Sequence, residues 1–144
     1  MIKVSTRGRY GLRTMLELAL QERGKPIQLK AIARSQRIPQ RYLAQLAQEL
    51  RNAGLLTSTR GALGGFALAK HPSRISLLEI VSRLEGPISP VECLTNPAFC
   101  DRRASCAARE VWNDIGKAVS AALGRRTLQD LVKLHQKKKR LQED

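Results

Sequence analysis

Apolar residues recur at helical spacing in three successive blocks of the first 52 residues. In the first block they follow the order i, i+3, i+4, i+7, which predicts an amphipathic helix capped by Ser5. The residues of this stripe are Leu12, Met15, Leu16 and Ala19. A short second helix is predicted over residues 29–35. A third is predicted over residues 39–52, because Pro39 is tolerated in the first turn of a helix.

A β-hairpin is predicted directly after the third helix. Two short strand-forming runs, residues 55–59 and 66–69, flank a glycine-rich segment. Helix, short helix, tight turn, helix and hairpin, in that order, are typical of a winged helix-turn-helix. The turn itself, Ser35-Gln36-Arg37, departs from the usual pattern because it contains no glycine.

Three more helices are predicted in the second half of the chain, around one irregular loop. Ser76 and Glu79 form a capping box ahead of a helix that ends near Leu84. After the loop comes a long helix with an apolar stripe along one side. The stripe consists of Val111, Trp112, Ile115, Val119, Ala122 and Leu123. Thr127 caps a last helix, which we expect to fray over residues 137–140.

Positive charge is concentrated in the N-terminal half. Residues 1–74 contain 14 Lys and Arg but only three Asp and Glu, whereas residues 75–144 contain 12 and nine. A field distributed so unevenly attracts a polyanion to one half of the molecule. No segment approaches the roughly 20 apolar residues of a membrane helix, and the early arginines do not fit a signal peptide. We therefore expect a cytoplasmic protein with no membrane partner.

Long hydrogen-bond donors lie on the third helix, opposite its apolar stripe. Gln40, Arg41 and Gln45 suit a helix whose N-terminus enters a major groove, because Gln can pair with adenine and Arg with guanine. Tyr42 is expected to keep one side on the core and its hydroxyl free for a phosphate. An ordinary solvated face would also contain Asp or Glu, and the first two turns of this helix contain neither.

Two further groups of residues are expected to extend this DNA-reading surface. Arg60 stands beside a flexible loop that includes Gly61 and Gly64, and arginine is favoured in narrow minor grooves. At the start of the first helix, free amide groups and the helix dipole favour phosphate. The residues expected to contact phosphate there are Arg7, Arg9 and Tyr10.

Three cysteines lie in the irregular loop with the spacing Cys-x6-Cys-x5-Cys. Cys93, Cys100 and Cys106 lack the Cys-x2–4-Cys pair of most zinc sites. Wider spacing can wrap an iron–sulfur cluster, which four thiolates normally hold. A fourth cysteine is missing, and incomplete ligation would leave a cluster labile, as suits a sensor. Three unrelated thiols, or a disulfide formed by oxidation, are the alternatives that the spacing leaves open.

Three segments of the chain resemble the IscR-type family of winged-helix transcription regulators, which includes NsrR and CymR. They are residues 5–11 (STRGRYG), the wing Arg60-Gly61-x-x-Gly64-Gly65-Phe66, and the cysteine loop ending Cys106-x5-Trp112. The resemblance spans essentially the whole chain. It implies a homodimer joined by the long helix, binding to a palindromic operator and, in many members, an iron–sulfur cluster that tunes DNA binding.

Carried over residue by residue, the resemblance makes Cys93, Cys100 and Cys106 cluster ligands. The fourth ligand does not carry over, because Arg109 stands where IscR itself has a histidine, and Arg7 and Gly8 stand where NsrR-like members have an acid. Other residues are chemically able to serve, although no motif supports them: Asp101, Glu110 and His71. We expect a [2Fe-2S] cluster rather than a [4Fe-4S] cluster.

The sequence thus predicts a mainly α fold with a small β-hairpin. Residues 1–74 form a winged helix-turn-helix DNA-binding domain, and residues 75–144 hold the cysteine loop and dimerisation helices. The expected function is a homodimeric regulator, a repressor, whose affinity for double-stranded DNA depends on the cluster. The runner-up is a cluster-free regulator that senses a small molecule or thiol oxidation. A nucleoid protein is a third reading. No enzyme is expected, because the sequence has no nucleophile–base or phosphate-loop motif.

Overall fold

The computed structural model describes residues 2–144. Within them the chain forms six α-helices and one two-stranded antiparallel sheet. The elements are α1 (Thr6–Leu20), α2 (Leu29–Gln36), α3 (Gln40–Asn52), β1 (Leu56–Thr59), β2 (Gly65–Leu68), α4 (Leu77–Glu85), α5 (Ala107–Gly124) and α6 (Leu128–Glu143). The expected mainly α architecture with one small hairpin is therefore confirmed.

Side-chain caps fix where the helices begin, as the sequence predicts. The Ser76 hydroxyl accepts from the Glu79 amide while Glu79 accepts from the Ser76 amide, a capping box that opens α4. Thr127 and Asp130 make the same reciprocal pair at the start of α6. The expected fraying of α6 is wrong, because the helix continues through residues 137–140 to Glu143. Lysine and arginine are good helix formers, and their charge is favourable near a helix C-terminus.

One hydrophobic core is shared by both halves of the chain. Its fully buried side chains come from α1, α2, α3, α4, α6 and the segment ahead of α4, and include Met15, Ile32, Leu43, Leu46, Leu50, Ile75, Ile80 and Leu128. The Leu77 amide donates to the Arg126 carbonyl (2.9 Å) and the Leu128 amide to the Ile75 carbonyl (2.8 Å). These bonds tie the start of α6 to the start of α4. The core therefore continues past residue 74, the end of the expected DNA-binding domain.

The hairpin is anchored to the segment ahead of α2. Leu56 pairs with Leu68 and Thr59 with Gly65 in the antiparallel register. Ile27 and Phe66 exchange both backbone hydrogen bonds, each 2.8 Å long. A Cβ on Gly65 would lie 2.2 Å from the Ile27 carbonyl oxygen, and its φ of +144° also favours glycine. Glycine at this position thus lets the wing approach the first part of the chain closely.

Helix α5 stands largely outside this core. Within α5, Gly116 is the buried residue, and a Cβ there would lie 3.2 Å from Pro90 Cδ. The large side chains of Val111 and Trp112 are exposed, at 55% and 41%. Within residues 2–144 no helix combines the length and apolar character needed to cross a membrane.

Candidate nucleic-acid interface

The N-terminal half of α3 presents its polar side chains to solvent. Gln40, Arg41 and Gln45 are exposed, while Leu43 and Leu46 on the opposite face are fully buried. The burial pattern follows from the helical period, which places residues three and four apart on one face. The three donors expected to read bases therefore share one accessible surface.

Aromatic contacts and an arginine fix the surroundings of this helix. The rings of Tyr42 and Tyr10 meet edge to face, with centroids 5.9 Å apart. The Arg13 guanidinium lies over the Tyr10 ring, 5.5 Å from its centroid. Arg13 also donates to the side chain and the carbonyl of Gln36, the last residue of α2. Tyr10 and Tyr42 are thus half-buried packing residues as well as expected phosphate contacts.

In the turn between α2 and α3, an arginine adopts the left-handed conformation that a glycine usually takes. Arg37 adopts φ +54° and ψ +47°, the left-handed conformation that ends α2. This conformation is disfavoured for residues with a Cβ, so the surroundings must hold it. Gln36, held by Arg13 and by Glu17 (2.7 Å), provides that support. The sequence shows that this turn lacks a glycine, but no local pattern points to Arg37 as its left-handed residue.

The wing tip is exposed and tied to its base by backbone geometry. Arg60 is exposed beside Gly61, whose φ is +104°. Gly64 is buried, and a Cβ there would lie 2.1 Å from the Thr59 carbonyl oxygen. The Gln28 side chain donates to the Ala62 carbonyl (2.8 Å), which joins the tip to the start of α2. The two predicted glycines therefore have different roles, one conformational and one steric.

The start of α1 differs from expectation, because its amides already bind an anion from the same chain. The Glu85 Oε1 atom accepts from the Ser5 amide (2.8 Å), the Ser5 hydroxyl (2.6 Å) and the Gly8 amide (3.1 Å). The expectation that these amides favour phosphate is therefore wrong for Ser5 and Gly8. Neither Glu85 nor its role was predicted, although a glycine in a helix interior is a sequence signal of close packing.

The two arginines expected to contact phosphate at this end have different surroundings. Arg7 donates to the Leu84 carbonyl oxygen (3.1 Å) and forms an ion pair with Glu49 of α3. Arg9 is exposed, and its side chain reaches Thr6 of its own helix at 3.4 Å. Arg9 thus remains available to a phosphate, whereas Arg7 is engaged within the protein.

The cysteine loop carries three free, half-buried thiols. Cys93, Cys100 and Cys106 lie on or beside the irregular segment between α4 and α5. As placed, they do not gather with one another or with His, Asp or Glu into a group of three able to hold a metal, within residues 2–144. Thiolates match three of the four ligand positions of a cluster in kind. The loop's conformation here does not bring them together.

Arg109, where the resemblance to IscR implies a histidine, lies in the first turn of α5. Its guanidinium contacts Glu110 at 3.4 Å, and its Nε atom is buried without a hydrogen-bond partner among the described residues. A guanidinium carries only donors and stays protonated, so it cannot ligate iron. Arg109 therefore cannot add a fourth ligand to the three cysteine thiolates.

Comparison with known proteins fixes the family. A family model described as Rrf2, iron-dependent transcriptional regulator, matches residues 4–134. The chain belongs to the Rrf2 family. It is 45% identical over 131 residues to the HTH-type transcriptional regulator CymR of Bacillus subtilis, covering 91% of this chain and 90% of that protein.

Solved structures of Rrf2 regulators share the fold. The structure of CymR, the global cysteine regulator of B. subtilis, matches with a TM-score of 0.77 at 44% identity, over 93% of this chain and 98% of that one. The structure of T. potens IscR matches with a TM-score of 0.75 at 36% identity, over 92% and 87% of the two chains. The resemblance to IscR-type regulators and the winged-helix fold are confirmed, and this protein is a DNA-binding transcription regulator.

Proposed function

We propose that this Rrf2 protein is a homodimeric, sequence-specific repressor that binds a palindromic operator in the cytoplasm. The observation that carries the proposal is the exposed start of α3, where Gln40, Arg41 and Gln45 face solvent in the strongly basic half of the chain. A helix presented this way can place its first turns in a major groove. Repression is the sign we propose, because a dimer need only cover promoter DNA to achieve it.

The remaining contacts position this helix on the duplex. We assign Arg60 to the adjacent minor groove, with Gly61 and Gly64 allowing the wing backbone to approach closely. The phosphate contacts fall to exposed Arg9 and to the hydroxyls of the half-buried Tyr10 and Tyr42. Residues 1–74 thus read DNA, and residues 75–144 supply control and dimerisation, although both halves share one core.

The uncovered side of α5 supports the homodimer. Val111 and Trp112 are exposed on a helix with few contacts to its own core. A second copy related by a two-fold axis would cover this side, and the same symmetry would match two operator half-sites.

The cysteine loop is the proposed control element, and an iron–sulfur cluster is the form of control we propose first. Cys93, Cys100 and Cys106 would supply three thiolates, with [2Fe-2S] favoured over [4Fe-4S]. A bound cluster supplies redox and ligand-exchange chemistry to which the regulator can respond. The incomplete ligand set means that the fourth ligand must come from another group.

A second candidate is control by the thiols without iron. Two observations favour it: the described loop does not gather its sulfurs, and the chain is 45% identical to CymR, whose structure is described as that of a cysteine regulator. A thiol oxidant would then accept two electrons and two protons as two of the thiols form a disulfide, and the new bond would change the loop's conformation. Both candidates place the signal at the same three residues.

The two candidates differ in what the purified protein contains. A preferred duplex is selected from a random pool with anaerobically purified protein and then titrated. We expect iron and sulfide reconstitution to give a visible chromophore and to change the affinity for that duplex. Each Cys→Ala change should abolish the chromophore and shift affinity in the direction of cluster removal.

Ser105→Ala is the matched control, an exposed residue of the same loop next to Cys106. It should leave both spectrum and affinity unchanged. A colourless protein whose affinity responds to a thiol oxidant supports the cluster-free candidate. If the triple alanine variant binds with the same affinity as both the reconstituted and the thiol-oxidised protein, the loop is not a control element. Equal affinity for all duplexes would refute specific operator binding.

A further inference from the structure

Arg7 connects three helices through one guanidinium. Its Nε atom donates to the Leu84 carbonyl oxygen of α4 at 3.1 Å, and its Nη2 atom pairs with the Glu49 carboxylate of α3. Arg7 itself belongs to α1. Glu49 raises the pKa of the Arg7 guanidinium above its ordinary value, so Arg7 is charged at every working pH. The planar fork of arginine allows one side chain to hold both partners in a fixed geometry.

A second contact locks α1 to the same end of α4. Glu85 binds the amides of Ser5 and Gly8, and a Cβ on Gly8 would lie 2.3 Å from the Glu85 Oε1 atom. Leu84 packs against Gly11, where a Cβ would lie 1.9 Å from its Cδ1 atom. The two glycines of the STRGRYG segment thus let α1 rest directly on the last turn of α4.

This last turn adjoins the cysteine loop. Glu85 ends α4, Gly86 follows with φ +84°, and Pro87 begins the loop. A shift in the loop's first residues would therefore move the Leu84 carbonyl and the Glu85 carboxylate together. Glu49 is on the same rigid helix as Gln45, four residues away, so a shift passed to Glu49 would tilt the base-reading side chains.

We propose that Arg7 is a positioning residue that transmits the state of the cysteine loop to the recognition helix α3. This inference rests on the proposed control of DNA binding by the loop. It replaces the expectation that Arg7 contacts phosphate. The route consists of Leu84 and Glu85 at the end of α4, Arg7 on α1, and Glu49 on α3.

A double-mutant cycle measures this coupling. Arg7→Lys keeps the positive charge, but a single ammonium group does not reproduce the two-sided fork. The affinity ratio between the anaerobically reconstituted protein and its triple Cys93→Ala/Cys100→Ala/Cys106→Ala variant is measured with and without Arg7→Lys. We expect Arg7→Lys to reduce this ratio by about threefold or more, with thermal unfolding of both proteins monitored in parallel.

Arg83→Lys is the matched control, because Arg83 lies next to Leu84 on α4 but is exposed and has no part in the proposed route or in DNA binding. It should leave the ratio unchanged. Should Arg7→Lys not fold, Glu49→Gln removes the partner's charge from the other side and should reduce the ratio as well. An unchanged ratio in a folded Arg7 variant overturns the proposal. A second outcome also overturns the proposal: Arg7→Gln weakens DNA binding by both forms equally and lowers the salt dependence by about one phosphate contact. Arg7 would then be a DNA contact.

The proposed function and this inference fail in different ways. If the triple alanine variant binds DNA with the same affinity as both the reconstituted and the thiol-oxidised wild-type protein, loop control is refuted, and the proposed coupling through Arg7 is refuted with it. If their affinities differ and Arg7→Lys preserves the difference, loop control stands and only the role of Arg7 is refuted.

Discussion

Helices α3 and α5 both carry an apolar stripe in the sequence, yet they differ in what covers it. Helix α3, of 13 residues, buries Leu43, Leu46, Ala47 and Leu50 in the core of its own chain. Helix α5, of 18 residues, buries Gly116 and leaves Val111 more than half exposed. A periodic stripe therefore predicts a helix, but it does not say whether the covering surface belongs to the same molecule.

The DNA-reading region around α3 and the cysteine loop ahead of α5 also differ in their side-chain hydrogen bonds. Side chains join different elements of the DNA-reading region: Arg13 reaches α2, Gln28 reaches the wing, and Arg51 of α3 donates to Ser58 of β1 (3.0 Å). In residues 87–106 the side-chain hydrogen bonds identified connect residues four or fewer positions apart. Segments held mainly by local contacts open at low free energy. The reading region is thus preorganised, whereas the loop can change shape.

The largest expected difference between α3 and α5 is in how much their apolar side chains contribute to the free energy of unfolding. Leu46→Ala should lower the free energy of unfolding by about 2–5 kcal/mol, because it leaves a cavity in a fully buried site. Val111→Ala, under conditions that keep the chain monomeric, should change it by less than about 0.5 kcal/mol. Urea denaturation of both variants measures the contrast. Equal losses would mean that α5 belongs to the core of its own chain.

The second prediction concerns the covering of α5. Light scattering of the wild-type protein should give twice the 16.0 kDa chain mass. Val111→Asp should give the single-chain mass, because it would bury a carboxylate between two apolar faces. Lys117→Asp introduces the same side chain six residues further along α5, at about 120° around the helix axis from Val111, and should remain dimeric. A wild-type monomer that still binds its operator tightly would contradict the two-fold arrangement.

Local features of this fold could be predicted from the sequence, and long-range partners could not. The capping boxes at Ser76 and Thr127 depend on residues three positions apart, so the sequence alone identifies them. The carboxylate that caps α1 comes from Glu85, 80 residues after Ser5, and no local pattern points to it. The lysine run of residues 137–140 predicts a fraying tail, yet α6 continues to Glu143, because no local pattern distinguishes a helical lysine run from a disordered one.

The same limit applies to the candidate site. The exposed donors of α3 follow from helical periodicity, so Gln40, Arg41 and Gln45 were identifiable. Arg7 belongs to the same basic cluster as Arg9 in sequence, and only the fold separates their surroundings. The cysteine spacing names three ligands of a cluster, but whether the sulfurs gather depends on the loop's conformation.

The third prediction separates the residues that read bases from those that add affinity for any DNA sequence. Gln40→Ala and Arg41→Ala should each change which base is preferred at one position, by about 1–3 kcal/mol of discrimination. Arg60→Ala should weaken operator binding without unfolding the protein, because the exposed wing tip contributes little to the core. Arg9→Ala should weaken binding to all sequences and flatten the salt dependence.

Arg102→Ala is the control for this series, since Arg102 is an exposed arginine of the cysteine loop. It should leave base preference unchanged. Titration of the selected duplex and its single-base variants at two salt concentrations separates these effects. Unchanged preference in both α3 variants would refute the proposed docking.

The smallest expected effect is a change in stability caused by substitutions at and near the turn between α2 and α3. Arg37 is exposed and left-handed, with φ +54°, whereas neighbouring Arg34 is exposed within α2. Arg37→Gly should stabilise the protein by up to about 1 kcal/mol, because relief of the left-handed strain exceeds the added entropy of the unfolded chain. Arg34→Gly removes the same charge but should destabilise by about 1 kcal/mol, since glycine is a poor helix former. Thermal unfolding of the pair measures effects of opposite sign. Equal destabilisation would show that the Arg37 side chain stabilises the turn through contacts of its own.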